Sequence, residues 1–319
     1  VFEGRTWFVA DIPLRNERAE RGSRRLPGVV GLIWDSSGSG AARDHSREYA
    51  LLDEYFRRMG NGEVRLTRLR HTAEPVQVFR ISAGNWQSLR EALEKTAYDG
   101  ATNLGAFAPD TAVQEYLLFS DGLGNFGDTP FAKTNVPLFA ISAAVRSDAT
   151  FLRHVAERSG GWFVDLTLGT PADARRTLFE AGTRIERVGG AGLSQLVLSS
   201  RAPVDGRVLV AGELTEASAV LTLATRDRAG KAGQVEVAIS RERSTGRGLA
   251  AGQWAQLKVS ELEGEYELNR AEIRRLGQRF KLVTRETSLI VLDRIEDYAR
   301  YEIAPPTELR ADYERVLRS

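Results

Sequence analysis

The chain has 319 residues, of which 42% are hydrophobic and 27% are charged. At roughly 100–200 residues per domain, this is ordinary globular material with room for about two cores. Lys plus Arg number 44 and Asp plus Glu number 43, so the chain lacks the basic excess of a nucleic-acid-binding or anionic-membrane protein. It holds no cysteine, which excludes disulfides, thiolate metal sites and cysteine nucleophiles.

No apolar run reaches the roughly 18–20 residues that a membrane-spanning helix needs, and no charged and apolar leader opens the chain. The first residue is Val1, in what looks like the middle of a strand. We therefore expect a processed or excised piece of a longer protein. The absence of cysteine permits both a cytosolic and a disulfide-free exported location.

A strand-like stretch over residues 6–14 opens the chain and is followed by a polar loop. The nearly continuous apolar run 28–34 then predicts a strand buried on both faces of a parallel sheet. It ends in the Asp, Ser and Gly residues of 35–40. A helix ending near Gly60 is predicted by apolar residues at spacings of three and four, which are Tyr49, Leu52, Phe56 and Met59.

The alternation of strand and helix continues up to about residue 182. Strands are predicted by alternating or continuous apolar runs, and helices by apolar residues three and four apart. Strands alternating with helices are typical of a doubly wound, mostly parallel α/β sheet, which we predict over residues 28–182. The further predicted elements are strands at 64–69, 76–79, 116–119 and 136–141 and helices from Trp86 to Leu93 and from Asp148 to Gly160.

From residue 193 the pattern changes to short alternating strands separated by Gly-rich or polar turns. This pattern predicts an antiparallel β-domain over residues 190–245. Its predicted strands are few for a sandwich, so we expect the strand in 1–14 to return to it, with the α/β domain inserted between. Residues 249–319 predict a C-terminal helical segment and a terminal strand. The strands predicted here lie at 193–199, 207–214, 219–228, 234–241 and 288–292.

Oxygen-bearing side chains follow the predicted elements of the α/β domain at three places. Ligands of open parallel sheets bind outside the carboxyl ends of the strands, so the three loops are expected to meet. Carboxylate and hydroxyl oxygens, without nitrogen or sulfur, are what hard divalent cations prefer, and two carboxylates nearly balance a 2+ charge. The sequence therefore predicts a metal site. Its candidate ligands are Asp35, Ser37 and Ser39 in the first loop, Thr102 in the second and Asp121 in the third.

In order and strand context these five residues resemble the metal-ion-dependent adhesion site of von Willebrand factor A domains. The resemblance implies a Rossmann-like fold and direct coordination by the hydroxyls of Ser37 and Ser39. It also implies that Asp35 and Asp121 act mainly through bound water, and that Thr102 coordinates directly or through water. The implied cation is Mg²⁺, with Mn²⁺ or Ca²⁺ as alternatives. Its last coordination position takes an Asp or Glu side chain of a partner protein.

The resemblance covers about residues 28–170, with two departures from the usual family sequence. Gly40 stands where a Met commonly follows the last serine, and Trp34 precedes the Asp. Neither changes a ligand, although both would alter packing around the loop. The tail over 254–292 is similar to the C-terminal part of bacterial relatives of inter-α-trypsin inhibitor heavy chains, which implies an exported protein.

Other functions are weighed from the same residues. A hydrolase would need a nucleophile with a base, and only His45 lies close to the serine loop, where it is more simply a polar residue near a helix start. A metal-assisted phosphotransferase or hydrolase using Asp35 is the main alternative, because a Gly/Ser loop between strand and helix also suits phosphate. A purely structural domain with an empty metal loop is a third possibility.

Asn125 and Phe126 lie in the loop after Asp121 and are expected on the same rim as the metal. There they either contact a partner or stabilise the turn. The pattern as a whole favours a module that uses a divalent cation to bind an acidic residue of another protein. We expect no enzymatic activity, no nucleic-acid partner and no membrane-spanning segment.

Overall fold

The computed structural model describes residues 1–14, 24–124, 126–127, 129–180, 182–203, 206–227, 231–243, 249–288, 295–300 and 309–317. The chain divides into two compact units, Val1–Asn269 and Arg270–Ser319. Within its described residues, the first unit holds one six-stranded, mostly parallel sheet and two three-stranded antiparallel sheets. The predicted fold class, a doubly wound α/β sheet with a separate antiparallel β-domain, is confirmed.

The strands, in chain order, are β1 (Thr6–Pro13), β2 (Val29–Asp35), β3 (Gly62–Leu69), β4 (Gln77–Ile81), β5 (Glu115–Phe119), β6 (Leu138–Ser142), β7 (Phe163–Asp165), β8 (Arg184–Gly189), β9 (Leu193–Leu198), β10 (Arg207–Leu214), β11 (Ser218–Arg226) and β12 (Ala232–Ser240). The helices are α1 (His45–Met59), α2 (Gln87–Glu94), α3 (Ala149–Ser159), α4 (Pro171–Phe179), α5 (Leu249–Glu263), α6 (Tyr266–Phe280), α7 (Ile295–Arg300) and α8 (Arg310–Leu317).

The six-stranded sheet has the order β4-β3-β2-β5-β6-β7. Every neighbouring pair is parallel except β3 with the edge strand β4. β2 therefore lies in the interior, hydrogen-bonded to β3 on one side and β5 on the other. Its position explains why its sequence is apolar almost throughout, since both of its faces are covered.

Side chains of the sheet alternate between two cores. β2 directs Leu32 and Trp34 to one face, where α1, α2 and α4 pack. It directs Ile33 to the opposite face, where α3 packs. Carboxylates cap two helix starts: Asp44 before α1 and Asp148 before α3 each accept a hydrogen bond from the backbone N three residues later.

The β-domain consists of two sheets with the strand orders β1-β10-β9 and β12-β11-β8. Ile12 and Val210 of the first sheet share one core with Ile185 and Leu221 of the second, and each is at most 2% exposed. The two sheets thus pack face to face as a sandwich. β1 pairs with β10 along its whole length. The chain therefore starts in the β-domain, leaves it for the parallel sheet and returns.

The sequence pattern does not predict β7, α4 or β8. β7 has only three residues, which is too short to show a period. α4 does have a helix-start signal in its sequence, because Thr170 and Asp173 form a capping box and Pro171 is its first residue. β8 buries only Ile185 and is otherwise rich in charged residues, so its sequence shows no alternation of apolar and polar residues. Its pairing with β11 extends the β-domain upstream of residue 190.

Helices α5 and α6 lie at the start of the C-terminal part of the chain, for which the sequence predicts a helical segment. α5 packs on the β-domain, with the ring of Trp254 4.4 Å from that of Trp7 and its Nε1 donating to Gln195 O at 2.7 Å. The terminal strand predicted at 288–292 falls almost entirely outside the described residues, and the domain boundaries stay predictions. None of the helices in the described part of the chain has the length and apolar character that crossing a membrane requires.

The place of β1 in the sandwich core can be tested with Ile12→Ala. Ile12 is 2% exposed, so truncation should lower the free energy of unfolding by about 2–5 kcal/mol in urea denaturation. Val9→Ala is the matched control, because Val9 lies on the outer face of the same strand at 37% exposure and should cost less than about 1 kcal/mol. Equal costs for the two variants would contradict this role of β1.

Candidate metal centre

The interior position of β2 determines where Asp35 lies. Asp35 is the last residue of β2 and is in register with Leu69 of β3, while Trp34 is in register with Phe119 of β5. Directly after the strand, Ser36 N donates to Leu69 O at 2.7 Å. The ends of three parallel strands therefore meet around Asp35, which is where ligands of open parallel sheets bind.

The loop after β2 gathers three of the predicted ligands. Ser37 donates to Asp35 Oδ1 twice, from Oγ at 2.6 Å and from its backbone N at 3.0 Å. The hydroxyls of Ser37 and Ser39 lie 3.2 Å apart. With metal–oxygen bonds of about 2.0–2.1 Å, adjacent ligands of an octahedral Mg²⁺ lie about 2.9 Å apart. The spacing of the two hydroxyls thus suits adjacent positions on one ion, and Ser39 is exposed to solvent.

The loop that carries Thr102 is hydrogen-bonded to the serine loop. Gly38 N donates to Gly100 O at 3.0 Å, and Asp99 N donates to Ser36 O at 3.2 Å. Thr102 itself is buried, at 1% exposure. The second predicted loop therefore lies against the first, although the two are about sixty residues apart in the chain.

The loop that carries Asp121 closes the arrangement. Ser120 Oγ donates to Asp35 Oδ2 at 2.6 Å, which places the end of β5 against the first loop. Phe126 N donates to Thr102 O at 3.2 Å, which joins the same loop to the second. The three predicted loops are thus connected pairwise by hydrogen bonds, and Asp121 lies directly beside Ser120.

Both predicted carboxylates are buried without a counter-charge. Asp35 is 0% exposed and Asp121 is 2% exposed. The donors to Asp35 are the neutral groups of Ser37 and Ser120, and Asp121 Oδ1 accepts from Leu123 N at 3.0 Å. Among the described residues neither carboxylate forms an ion pair with Lys, Arg or His. Because an unpaired buried carboxylate is costly, a cation at this place would remove a large unfavourable term.

The remaining ligands at this place would be hydroxyls. Within the described residues no three His, Asp or Glu side chains form a group that could hold a metal. Two carboxylates with the hydroxyls of Ser37, Ser39 and Thr102 would suit Mg²⁺, Mn²⁺ or Ca²⁺ better than zinc, whose sites in proteins usually include Cys or His.

A buried ion pair holds the backbone of the serine loop. Arg43 Nη1 donates to Asp35 O at 2.8 Å, and Arg43 Nε donates to Glu48 Oε1 at 2.8 Å. The side chains of Arg43 and Glu48 are both 0% exposed. The guanidinium also lies 5.1 Å from the ring centroid of Trp34. The pair therefore connects the end of β2 with the first turn of α1.

Both departures from the resembled family belong to this arrangement. A Cβ at Gly40 would lie 2.8 Å from Asp35 O and 3.0 Å from Arg43 Nη1, so a larger side chain would displace the guanidinium. Trp34 forms one wall of the guanidinium site, and its Nε1 donates to Tyr98 Oη at 2.9 Å. Gly40 thus leaves room for the Arg43 guanidinium, and Trp34 packs against it.

His45 is half-buried and packs against the same cluster. Its Nδ1 lies 2.7 Å from Glu48 Oε2, and its ring stacks on that of Tyr98 at 4.9 Å. Among the described residues it has no hydrogen bond to Ser39. Burial raises the pKa of Tyr98, and burial followed by the charge of Tyr98 raises the pKa of Tyr49 to about 12. Both phenols are therefore neutral near pH 7.

Gly122 fits the turn after Asp121 for two reasons. Its φ is 73°, a conformation that side chains with a Cβ rarely adopt. A Cβ there would also lie 2.8 Å from Leu152 Cγ and 3.0 Å from Asp148 O. The glycine lets α3 pack close to the site, with Asp148 N donating to Asp121 O at 2.8 Å.

The sequence pattern does not single out two residues that hydrogen-bond Asp35, namely Ser120 and Arg43. Ser120 has a usable signal, since it directly precedes Asp121 at a strand end. Arg43 has only an indirect one, the unusual glycine at position 40. Of the two predicted rim residues, Phe126 is 56% exposed beside Thr102, and Asn125 lies outside the described residues.

No family model matches the chain, and no curated protein matches it. Among solved structures, a von Willebrand factor type A protein from Catenulispora acidiphila is 15% identical, covers 87% of each chain and has a TM-score of 0.37. The VWA domain of SpRpn10 is 8% identical, covers 47% of this chain and 94% of its own, and has a TM-score of 0.29. An aerotolerance-related membrane protein from Bacteroides fragilis, carrying multiple mutations to serines, is 14% identical, covers 48% and 96%, and scores 0.36. At TM-scores this low the likenesses carry no argument. The α/β architecture is assigned from the strand order and register of this chain alone.

The contribution of the buried pair is tested by Arg43→Met. Removing Arg43 leaves the buried Glu48 carboxylate without its guanidinium, so the free energy of unfolding should fall by about 3–5 kcal/mol in urea denaturation. Arg57→Met is the control, because Arg57 pairs with Glu54 on the exposed side of the same helix and should cost less than about 1 kcal/mol. If both variants lose the same small amount, the pair does not hold this part of the fold.

Proposed function

We propose that this site binds a divalent cation, Mg²⁺ foremost and Mn²⁺ or Ca²⁺ as alternatives, and uses it to bind an Asp or Glu side chain of a partner protein. We infer a module of the von Willebrand factor A type with a metal-ion-dependent adhesion site. The observation that carries the proposal is the pair of buried carboxylates without a counter-charge among the described residues, beside several hydroxyls. The proposed ligands are Asp35, Ser37, Ser39, Thr102 and Asp121.

The charge balance supports both halves of the proposal. Two carboxylates nearly neutralise one 2+ ion, so the loaded site would bury little net charge. In the arrangement that the resemblance implies, both carboxylates act mainly through bound water, so the direct neighbours of the ion would be neutral hydroxyls and water molecules. A carboxylate from outside would therefore still be attracted, and it would replace water at an exchangeable position.

The hydrogen bonds of the serine loop suit this role. Ser37 Oγ donates its proton to Asp35 Oδ1, which leaves the lone pairs of the hydroxyl available to a cation. Asp35 accepts from Ser37 and Ser120 at its two oxygens and so orients both hydroxyls. When bound, the cation supplies a positive centre with one exchangeable position. Ser39, which is exposed, marks the side from which a partner would approach.

Binding without catalysis is the function favoured by the state of Asp35. A phosphotransferase nucleophile needs a carboxylate oxygen that can reach a phosphorus atom. Asp35 is 0% exposed, and its two oxygens accept three hydrogen bonds from Ser37 and Ser120. These contacts argue against its use as a nucleophile, and His45 is engaged by Glu48.

Titration calorimetry with MgCl₂, MnCl₂ and CaCl₂ tests the metal site. We expect saturable heats with the wild type and none with Asp121→Ala, because the loss of one of two carboxylates removes half of the charge that holds the ion. At about a hundred times Kd, Mg²⁺ should also stabilise the wild type by about 2.7 kcal/mol, which a thermal melt detects as a higher Tm.

Asp165→Ala is the matched control for this titration. Asp165 ends β7 at the same edge of the sheet, but its carboxylate accepts from the backbone N and the hydroxyl of Thr167. This variant should bind metal like the wild type. Equal heats in wild type and Asp121→Ala, or no metal response in any of the proteins, would contradict the proposed site.

A phosphatase assay separates the enzyme alternative. With p-nitrophenyl phosphate and each of the three metals, we expect no turnover above that of buffer, because Asp35 is buried and fully hydrogen-bonded. Turnover that disappears in Asp35→Asn would instead assign catalysis to this carboxylate. Asp165→Asn is the control for loss of activity from general damage at the strand ends.

A further inference from the structure

Two large apolar side chains are exposed beside the proposed metal site. Val145 is 98% exposed and Phe126 is 56% exposed. Val145 lies three residues after the end of β6, and Phe126 lies seven residues after the end of β5. Both therefore belong to the edge of the sheet at which β2 ends with Asp35. Apolar surface exposed next to polar groups is a candidate for an interaction surface.

The loop with Val145 spans two of the metal-site loops. At one end Asp44 N donates to Ala143 O at 3.1 Å, directly before α1 and after the serine loop. At the other end Asp148 N donates to Asp121 O at 2.8 Å. Val145 thus lies in the middle of a short bridge that is anchored next to both carboxylate loops. Such anchoring gives an exposed apolar side chain a defined position relative to the proposed ion.

Phe126, in the loop after Asp121, lies against the loop of Thr102. Its backbone N donates to Thr102 O at 3.2 Å, so its position is also tied to a proposed ligand. Arg146, next to Val145, is exposed and forms no ion pair with any residue in the described ranges. Phe126 and Val145 thus offer exposed apolar surface near the site, and Arg146 offers a positive charge that has no ion-pair partner among the described residues.

We propose that Phe126, Val145 and Arg146 form a rim that selects the sequence around the partner's acidic residue. The occupant is a protein segment with a large apolar side chain next to the metal-binding carboxylate and a second acidic side chain nearby. The apolar residue would cover Phe126 and Val145 and remove their surface from water, and the second carboxylate would pair with Arg146. This selectivity rests on the proposed function, because the first carboxylate binds through the cation.

A peptide array read with the full chain tests the rim. The probes are capped peptides with a central Glu whose neighbours vary over apolar, neutral polar, acidic and basic residues, incubated with labelled protein in Mg²⁺ or in EDTA. We expect binding in Mg²⁺ and none in EDTA. In Mg²⁺ the strongest signals should come from peptides in which Leu, Ile or Phe adjoins the Glu and a second Asp or Glu is close. Val145→Ser and Phe126→Ser should each weaken these signals about five- to tenfold. Arg146→Glu should abolish the preference for the second acid.

Val78→Ser is the matched control, since Val78 is 55% exposed on the edge strand β4, two strands away from β2. It should leave the selection unchanged. Binding in Mg²⁺ without an apolar preference, or with a preference that both serine variants retain, would overturn the rim. A Mg²⁺-dependent dimer that Val145→Ser abolishes would also overturn it, because the surface would then belong to a second copy of the chain.

Calorimetry distinguishes this failure from that of the metal site. A protein that gives Mg²⁺ heats lost in Asp121→Ala but selects no peptide keeps the proposed cation site and overturns the rim. A protein that gives no heats with any metal overturns the proposed function, and the rim with it.

Discussion

The parallel pairing of β2 between β3 and β5 is the constraint on which the site depends. It brings three strand ends to one place, with Asp35 in register with Leu69 and only one residue beyond the register pair of Trp34 with Phe119. Because parallel strands run in the same direction, the loops that follow them must leave from the same edge. Hydrogen bonds between those loops then hold the serine loop, the Thr102 loop and the Asp121 loop against one another.

The site is also held by a buried charge pair. Arg43 and Glu48 are removed from water, yet the guanidinium has a carboxylate, a backbone carbonyl and the face of Trp34 as partners. A buried pair of this kind adds little net stability, but it is costly to break and it permits few alternative geometries. The loop that would present Ser37 and Ser39 to a metal is thus held at its start, where the buried Arg43 guanidinium donates to the backbone carbonyl of Asp35.

Both the site and its rim contain charged groups that lack an ion-pair partner among the described residues. Two carboxylates are buried without a cation among the described residues, and Arg146 is exposed without an anion. A divalent ion in the centre and an acidic segment on the rim would satisfy both. Exposed Val145 and Phe126 would meanwhile gain from being covered. Uncompensated charges and exposed apolar side chains of this kind are useful to a domain that binds a partner, whereas a purely structural domain has no need of them.

Much of the α/β domain is visible in the sequence because its signals are local. The buried runs of β2 and β5 and the apolar spacing in α1 each lie within one short window, and this window already shows the period of a strand or a helix. The polar residues after two buried strands and after the second helix predict that Asp35, Asp121 and Thr102 share one edge, and the hydrogen bonds between their loops agree with that prediction. β7 and β8 were missed because one is too short and the other too charged to show a period.

By itself the sequence determined the alternation of strands and helices, the change to a β-domain near residue 190 and the oxygen chemistry of the loops. Only the tertiary structure decided that β1 pairs with β10, that Ser120 donates to Asp35, that Arg43 reaches the Asp35 carbonyl and that Val145 is left exposed. The physical reason is that periodicity and side-chain type are properties of neighbouring residues. Pairing, burial and charge compensation depend instead on which distant residues the packed chain brings into contact.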